Sequence, residues 1–376
     1  MEVLTSVLSF LTGYIIPFLI VLTAVVFFHE LGHYLVGRWC GIRALTFSVG
    51  FGPEIVGFND RRGTHWQLSA IPLGGYVKFL GDENAASVPG TDLAAMSEED
   101  RAHSLPGASL WRRAATVAAG PIANFVLAIA VFSVMLYLNG RMIADPVVAK
   151  VQPGSAAAAA GIVPGDRFVS IDGHSMTTFD DVRRYVSPRP GVRIAVTVDR
   201  AGKDVTLDLV PRATEVSDQF GNKMDVGLIG VITDKSAGHF RVVHYGPLQS
   251  IGQGALESWR IVARTGSYVG NIFAGREKAD QLGGPIRVAQ VSGEMATLGV
   301  EAVIQLIAIL SVSIGLLNLM PVPMLDGGHL LFYAIEAVSG RPLGERAQEM
   351  AFRFGLALVL MLMVFATWND VSRLLG

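Results

Sequence analysis

The sequence predicts a polytopic α-helical membrane protein with about four transmembrane helices, a membrane-associated β element and an inserted extracytoplasmic α+β domain. Of its 376 residues, 51% are hydrophobic and 16% are charged, whereas soluble domains are about a quarter charged. The mean hydropathy is +0.45. Four stretches approach the roughly 20 apolar residues that cross a bilayer, and strand-like and polar regions separate them.

These patterns divide the chain into eight predicted segments. They are a first transmembrane helix at 1–40, a cytoplasmic loop with a membrane-dipping β element at 41–113, a second transmembrane helix at 114–140, the inserted domain at 144–212, a linker with amphipathic juxtamembrane helices at 213–300, a third transmembrane segment at 301–328, a second cytoplasmic loop at 329–350 and a fourth transmembrane helix at 351–372. Residues 1–4 lack the basic start of a signal peptide, which predicts a retained first helix.

The first apolar stretch contains the sequence HELGH at 29–33. On a helix, His29 and His33 lie about one turn apart on one face, so both can bind one Zn²⁺ while Glu30 activates a water. At bilayer depth these side chains would be costly without partners, which favours a metal site over a chance match.

A catalytic zinc site normally has three protein ligands, so a third ligand must come from elsewhere. The best candidate is Asp326, in the sequence NLMPVPMLDGGH at 318–329. Its prolines and glycines can turn a membrane helix toward a shared site, although they could also only end the span at the surface. His329 is a second candidate, and Asp326 is favoured because two histidines and a carboxylate form a known catalytic set.

Two asparagines in or beside the apolar stretches each allow two interpretations. Asn318 could donate a hydrogen bond to the oxyanion of a peptide bond under attack, or it could only connect two helices. Asn124 follows a Gly-Pro pair at 120–121 that is typical of close packing and kinking. Its amide needs a partner in lipid, which is either structural or near the site.

The positions of Lys and Arg predict the orientation in the membrane. The N-terminal stretch before the first span has neither residue, whereas the loop after it includes Arg38, Arg43, Arg61, Arg62, Lys78, Arg112 and Arg113. This loop is therefore predicted to be cytoplasmic, with both termini and the central region outside. Within it, residues 45–80 predict short strands that dip toward the site, or else a plain loop, and residues 82–106 are predicted to be mobile.

Residues 144–212 have the pattern of a small domain of strands and short helices. The sequence from Ser155 to Gly173, with its PGD and IDG runs, resembles PDZ domains of bacterial proteases. That resemblance implies a peptide or ectodomain partner, since such domains add a peptide as a strand; the alternative is a domain that only limits access. Residues 246–299 predict amphipathic helices on the outer membrane surface, or a helix packed on this domain.

Together these motifs resemble the site-2 protease family of intramembrane zinc metalloproteases, and most closely its bacterial regulator of sigma-E protease branch. The matching sequences, in family order, are HELGH at 29–33, GGYVKFLGDE at 74–83, AGPIANF at 119–125, the PDZ unit, GPI at 284–286 and NLMPVPMLDGGH at 318–329. The resemblance implies ligation of Zn²⁺ by His29, His33 and Asp326, with Glu30 as the general base.

The resemblance also implies a substrate and a place in the cell. The β element would present the substrate as a strand, which makes Gly74, Gly75 and Tyr76 candidate substrate-binding residues together with Asn318. The expected substrate is a single-span membrane protein already trimmed by another protease, such as an anti-sigma factor of the sigma-E stress response or a signal-peptide remnant. The expected location is a bacterial inner membrane, with the PDZ unit periplasmic and the active site toward the cytoplasm. The best-known members of the family have two PDZ units, whereas this sequence shows one. The gating role of the tandem pair is therefore not part of the expectation.

Charge and cysteine content exclude some functions, and two others stay open. A net charge of −2 without a basic block excludes nucleic acid as an expected partner. The single cysteine, Cys40, excludes an internal disulfide and a cysteine-based zinc site. The open alternatives are a non-catalytic zinc-binding scaffold that recruits partners through its PDZ unit, and a metal transporter. A transporter would distribute ionisable residues along a path, whereas here they gather at one depth.

Overall fold

The computed structural model describes residues 11–82, 96–217, 223–233, 240–273 and 283–375. Residues 1–4 and most of the segment predicted to be mobile therefore lie outside the described residues. The chain divides into two compact units, one formed by Met1–Val134 with Gln249–Gly376 and the other by Met135–Leu248.

The first unit begins with a long apolar helix. A π-helical turn at Leu11–Ile15 continues into α1 (Ile16–Trp39), which carries the HELGH sequence. Pro17 directly follows the π-helical turn, and its ring nitrogen has no hydrogen to donate to a carbonyl of that turn. After Cys40 the chain turns at Gly41, whose φ of 78° is in the left-handed region that glycine adopts without strain.

The β element is a pair of long antiparallel strands that folds back on itself. β1 (Ala44–Asn59) and β2 (His65–Phe79) pair so that Val49 lies opposite both Gly75 and Leu68. The first half of β1 is therefore the middle of a small sheet, and residues 75–79 form one of its edges. Phe47 is fully buried in a cluster with Tyr34 of α1, which attaches the sheet to the helix.

Two helices follow the sheet, α2 (Glu98–Ala102) and α3 (Leu110–Asn139). The short α2 occupies part of the segment predicted to be mobile. Gly32 of α1 faces Ala119 of α3, and a Cβ atom on Gly32 would be 2.9 Å from the carbonyl carbon of Ala119. Because only glycine permits this approach, α1 and α3 are in backbone contact beside the HELGH sequence.

The second unit is a small β-rich domain. Its elements are β3 (Arg141–Ala144), β4 (Lys150–Val151), α4 (Ala156–Ala159), β5 (Arg167–Ile171), β6 (His174–Ser175), α5 (Phe179–Val186), β7 (Ile194–Arg200), β8 (Lys203–Leu209), β9 (Arg212–Ser217), β10 (Lys223–Leu228), β11 (Val231–Ile232) and β12 (Phe240–Val243). A four-stranded antiparallel sheet has the order β6-β5-β7-β8. Phe168, Ile171 and Val196 are almost completely buried in its core.

This unit extends beyond the segment 144–212 that the sequence predicts for it. The predicted linker after residue 212 contains β10, β11 and β12, and β9 starts at Arg212. β11 pairs with β4 and β12 pairs with β3, so both strands return to the start of the unit. Strands this short carry little sequence signal, because their stability comes from partners distant in the chain.

Five helices complete the first unit: α6 (Pro247–Phe273), α7 (Pro285–Leu298), α8 (Val300–Asn318), α9 (Asp326–Ser339) and α10 (Glu345–Leu375). The segment predicted as one span at 301–328 is divided, because α8 ends at Asn318 and Asp326 starts α9. Pro321 and Pro323 lie between them and cannot continue a helical hydrogen-bond ladder. α9 also occupies much of the predicted loop at 329–350.

The predicted amphipathic region is helical in α6, and this helix packs on the membrane helices. Ile261 and Val262 lie against a buried cluster formed by α3 and α8, which includes Phe132 and Val312. Four described helices are long and apolar enough to cross a membrane, at Leu11–Trp39, Leu110–Asn139, Val300–Asn318 and Arg346–Arg373.

Candidate metal centre

Three potential metal ligands from two helices converge in the first unit. His29 Nε2 is 3.1 Å from Asp326 Oδ2, His33 Nε2 is 3.5 Å from Asp326 Oδ1, and the two Nε2 atoms are 3.2 Å apart. The side chains of His29, His33 and Asp326 are 10%, 12% and 18% exposed. The two histidines come from successive turns of α1, and the carboxylate is on the first residue of α9.

The geometry of this group fits a zinc ion. Nitrogen and oxygen ligands lie about 2.0–2.2 Å from zinc, so two ligands of a tetrahedral ion are about 3.3–3.6 Å apart. The observed separations of 3.1, 3.2 and 3.5 Å are close to that range. Asp326 Oδ2 is also buried without a hydrogen-bond partner, and a metal ion would supply the missing interaction.

The other ring nitrogen of each histidine faces α3. His33 Nδ1 is 2.9 Å from the carbonyl oxygen of Thr116, and His29 Nδ1 is 3.3 Å from Asn124 Nδ2. A histidine that binds a metal through Nε2 carries its proton on Nδ1, and a hydrogen bond there fixes the orientation of the ring. Helix α3 therefore contacts the outer side of both histidines.

Glu30 lies between the ligand group and the edge of the sheet. It interacts electrostatically with His33, His29 and Asp326, and the backbone N–H of Val77 donates a hydrogen bond to its carboxylate. A Cβ atom on Gly75 would be 3.4 Å from Glu30 Cγ, so the strand passes directly beside this side chain. The arrangement brings a potential proton acceptor next to both the ligand group and an edge strand.

The structure places the predicted substrate-binding residues 74–76 on this strand. Gly74 has a φ of 132°, and a Cβ atom there would clash with the ring of Phe51, whose Cζ atom would be 3.1 Å away. A Cβ atom on Gly75 would be 2.7 Å from the carbonyl oxygen of Ser48. The ring of Tyr76 stacks on Phe51 at a centroid distance of 6.1 Å. The two glycines thus let β2 approach both β1 and α1.

Two further predicted residues lie outside the ligand group. Asn318 is half-buried at the last position of α8, eight residues before Asp326 in the chain. His329 does not share the ligand group among the described residues, and its ring packs 5.3 Å from the ring of Phe352. Between the two candidates for the third ligand, the structure brings Asp326 to the histidines.

Three features near the site were not assigned from the sequence, although one of them was indicated. The carbonyl of Thr116 contacts His33, but every residue has a carbonyl, so the sequence carries no signal for it. Gly120 gives space to the His33 ring, and the Gly-Pro pair did indicate close packing there. Arg113 and Glu336 form an ion pair between α3 and α9. These two residues are 223 positions apart in the chain, and nothing in the sequence indicates that they meet.

Comparison with known proteins identifies a family and relatives over almost the whole chain. Residues 17–362 match the description Peptidase family M50. A relative from Agrobacterium fabrum that carries the name of a zinc metalloprotease is 62% identical over 377 residues, covering 100% of both chains. The regulator of sigma-E protease RseP from Escherichia coli is 30% identical over 468 residues, covering 98% of this chain and 100% of the relative.

A solved structure resembles part of the chain. It is the PDZ domain of the SdrC-like protein from Listeria monocytogenes, with 21% sequence identity and a TM-score of 0.19, covering 26% of this chain and 92% of that one. The match over 17–362 spans the histidine pair, Glu30 and Asp326, and the relative from Agrobacterium fabrum is a zinc metalloprotease by name. The chain belongs to peptidase family M50, the site-2 protease family, and is a zinc-dependent metalloendopeptidase of the membrane.

Proposed function

We propose that this enzyme hydrolyses a peptide bond within or near the transmembrane segment of a single-span membrane protein. The observation that supports this most strongly is the position of His29, His33 and Asp326 on apolar helices of the membrane-embedded unit, 3.1–3.5 Å apart. A site at bilayer depth reaches a bond that a soluble protease cannot approach.

The residues of the site have separate roles in this reaction. His29, His33 and Asp326 would hold the zinc ion, which supplies a Lewis acid that polarises the scissile carbonyl and lowers the pKa of a water. Glu30 accepts the proton of the attacking water and passes it to the leaving amine, so that one water yields a carboxylate and an amine. The Val77 N–H holds the Glu30 carboxylate in place for both transfers.

The edge of the sheet is the proposed docking place of the scissile segment. Residues 75–79 pair with β1 on one side, and Glu30 lies beside the same strand. An extended substrate added along Gly74, Gly75 and Tyr76 would present its carbonyls toward the ligand group. Membrane helices lack free backbone groups, so this addition requires local unwinding of the substrate. Asn318 is the proposed donor to the oxyanion.

The second unit and the orientation complete the proposal. The Lys and Arg residues between the first two apolar helices support a cytoplasmic loop, with the second unit periplasmic in a bacterial inner membrane. We assign the second unit to the PDZ class on its sequence pattern, with a peptide or ectodomain as partner. The name of the Escherichia coli relative, regulator of sigma-E protease, supports an anti-sigma factor as substrate. A signal-peptide remnant is the second proposed substrate, and both would be trimmed beforehand by another protease.

Cleavage of a single-span reporter by purified enzyme tests the mechanism. Glu30→Gln should keep its zinc and lose cleavage, because the amide cannot accept the proton. Asp326→Asn should weaken both zinc binding and cleavage. Glu294→Gln, at an exposed position on α7, is the matched control and should behave as wild type. Cleavage by Glu30→Gln at the wild-type rate would reject the assigned base.

Alkaline phosphatase fusions test the orientation. Alkaline phosphatase folds to its active form only outside the cytoplasm. A fusion of it within residues 150–240 should therefore be active, and a fusion near residue 90 should be inactive. The reverse result would invert the proposed topology without affecting the metal centre.

A further inference from the structure

The side-chain amide of Asn124 is fully buried beside the first histidine of the ligand group. Its Nδ2 atom is 3.3 Å from His29 Nδ1, and its Oδ1 atom has no hydrogen-bond partner. A buried amide oxygen without a hydrogen-bond partner destabilises a fold, so this arrangement calls for an explanation.

The position of the ring proton that zinc binding imposes on His29 explains the unpaired amide oxygen of Asn124. His29 Nε2 faces the ligand group, at 3.1 Å from Asp326 Oδ2. Once Nε2 binds a metal, the ring proton is on Nδ1, which must then donate a hydrogen bond. An amide nitrogen opposite that proton would be a donor facing a donor. A half-turn of the side chain exchanges the positions of the amide oxygen and nitrogen, so that the oxygen faces this proton instead.

We infer that Asn124 is a positioning residue whose amide oxygen accepts a hydrogen bond from His29 Nδ1–H. This bond satisfies the unpaired Oδ1 atom and holds the imidazole with Nε2 toward the zinc. The Thr116 carbonyl does the same for His33, at 2.9 Å from its Nδ1. Helix α3 therefore orients both histidines of α1. The inference rests on the proposed role of His29 as a ligand.

A purely structural role for this asparagine is separable from the inferred one. Ser311 of α8 donates its hydroxyl hydrogen to the main-chain carbonyl of Asn124, at 2.9 Å, and not to the side chain. Gly315 of α8 approaches the Cβ atom of Asn124, since a Cβ on the glycine would be 3.2 Å away. Both packing contacts would persist with a leucine at position 124, which removes only the amide.

Zinc affinity of the full-length enzyme in detergent, measured by competition with a chelator, tests the inference. Asn124→Leu should bind zinc about 10- to 100-fold more weakly, as is typical when a hydrogen bond to a metal-bound histidine is lost. Asn124→Asp should stay within about threefold of wild type, because a carboxylate accepts the same hydrogen bond. Ser311→Ala, which weakens only helix packing, is the matched control and should also stay within that range.

The possible outcomes separate this inference from the proposed ligand set. Wild-type affinity in Asn124→Leu, together with loss of zinc in His29→Ala, would overturn the role of Asn124 alone. Retention of zinc by His29→Ala would instead overturn the ligand set. An equal loss in Asn124→Asp and Asn124→Leu would also overturn the inference. Should the leucine variant not accumulate, Asn124→Thr replaces it, because its shorter side chain cannot reach Nδ1 and the same loss is expected.

Discussion

The imidazole of His33 occupies the space beside Gly120 where any other residue would place its side chain. A Cβ atom on Gly120 would be 2.5 Å from His33 Cε1 and 2.8 Å from Cδ2. Contacts this short do not occur between real side chains, so either the ring or helix α3 would have to move. This contact explains why position 120 of α3, which faces the second histidine of the HELGH sequence, is a glycine.

Replacement of this glycine should therefore damage the metal centre. Overpacking costs about 1–3 kcal/mol, which corresponds to roughly a 5- to 150-fold change in an equilibrium constant. We expect Gly120→Ala to lower zinc affinity by a factor in that range, with a parallel loss of reporter cleavage. Chelator competition and cleavage assays of the same preparation measure both effects.

A second helical glycine provides the control. A Cβ atom on Gly252 of α6 would meet nothing within 4 Å, and alanine is the better helix former. Gly252→Ala should thus leave zinc affinity unchanged and slightly raise thermal stability. If both variants kept wild-type affinity, the contact between Gly120 and His33 would have no functional consequence.

The sequence indicated the candidate ligands of this centre more clearly than their surroundings. The spacing of His29 and His33 places both on one helical face, and the residues around Asp326 indicated a turn toward a shared site. Their separations of 3.1 and 3.5 Å from the carboxylate agree with that prediction. The Thr116 carbonyl could not be predicted, because its role depends on how α1 and α3 pack.

The sequence indicated a turn near Asp326, but it predicted one span over 301–328 and not the new helix that begins at Asp326. Gly327 and Gly328 are poor helix formers, yet both lie in the first turn of α9. A Cβ atom on Gly327 would be 2.5 Å from the carbonyl carbon of Leu319, and one on Gly328 would be 2.7 Å from Pro323 Cα. Close packing against the preceding turn thus explains these glycines, and tertiary contacts outweigh their low propensity.

The ion pair between Arg113 and Glu336 connects α3 to α9, the helix that begins with the proposed third ligand, Asp326. It should therefore help to hold Asp326 in position. Arg113 Nη2 donates to Glu336 Oε1 at 2.5 Å, and its guanidinium lies 5.0 Å from the centre of the Tyr333 ring. The two side chains are only 16% and 17% exposed. Removal of one partner of a buried pair costs about 3–5 kcal/mol, because the other charge remains buried. Arg113→Met should therefore lower both thermal stability and zinc affinity.

A double-mutant cycle distinguishes this pairing from a general loss of packing. Arg113→Met combined with Glu336→Leu should recover part of the loss, since no charge is left unpaired. The exposed pair of Arg353 and Glu349, at 78% and 63% exposure, is the control, and Arg353→Met should change stability by less than about 0.5 kcal/mol. Additive effects of the Arg113 and Glu336 substitutions would contradict the coupling.

The turn between β1 and β2 should depend on ionised Asp60. Its carboxylate accepts a hydrogen bond from the Tyr34 hydroxyl at 2.9 Å, which attaches the turn to α1, and another from the Thr64 N–H at 2.9 Å within the turn itself. Burial opposes ionisation of Asp60, but these bonds and those from Arg62 and Trp66 outweigh it and lower its pKa to about 2. The ordinary value is 3.8.

Because this pKa is lowered by folding, the stabilisation is present above pH 3.8 and disappears as the pH falls toward 2. The protection of the backbone amides in residues 44–79 against hydrogen exchange, relative to the intrinsic exchange rate at each pH, should therefore fall over that pH range. Asp60→Asn should accelerate the exchange already at neutral pH and lose the acid dependence. Asp100→Asn, which removes an exposed partner of Arg43, is the control. Equal exchange in wild type and Asp60→Asn would reject the attachment.

In the second unit, Asp166 and Arg200 should stabilise the fold independently of the metal centre. Arg200 donates from Nε to Asp166 Oδ1 and from Nη2 to Oδ2, both at 2.8 Å, while the Val163 N–H also donates to Oδ2 at 2.9 Å. Burial opposes ionisation of Asp166, but these hydrogen bonds and the charge of Arg200 hold its pKa below the ordinary value of 3.8. This stabilisation is therefore present at neutral pH and is lost as the pH falls below that value.

Asp166→Asn should remove that contribution and lower the temperature at which residues 135–248 become sensitive to protease in the intact enzyme. Zinc affinity should stay unchanged, since all three proposed ligands belong to the first unit. Asp208→Asn, whose contact with Arg193 is exposed and 4.0 Å long, is the matched control and should leave the protease sensitivity unchanged. A fall in zinc affinity in Asp166→Asn as large as in Gly120→Ala would contradict the independence, because it would require the folding of the second unit to control the ligand group.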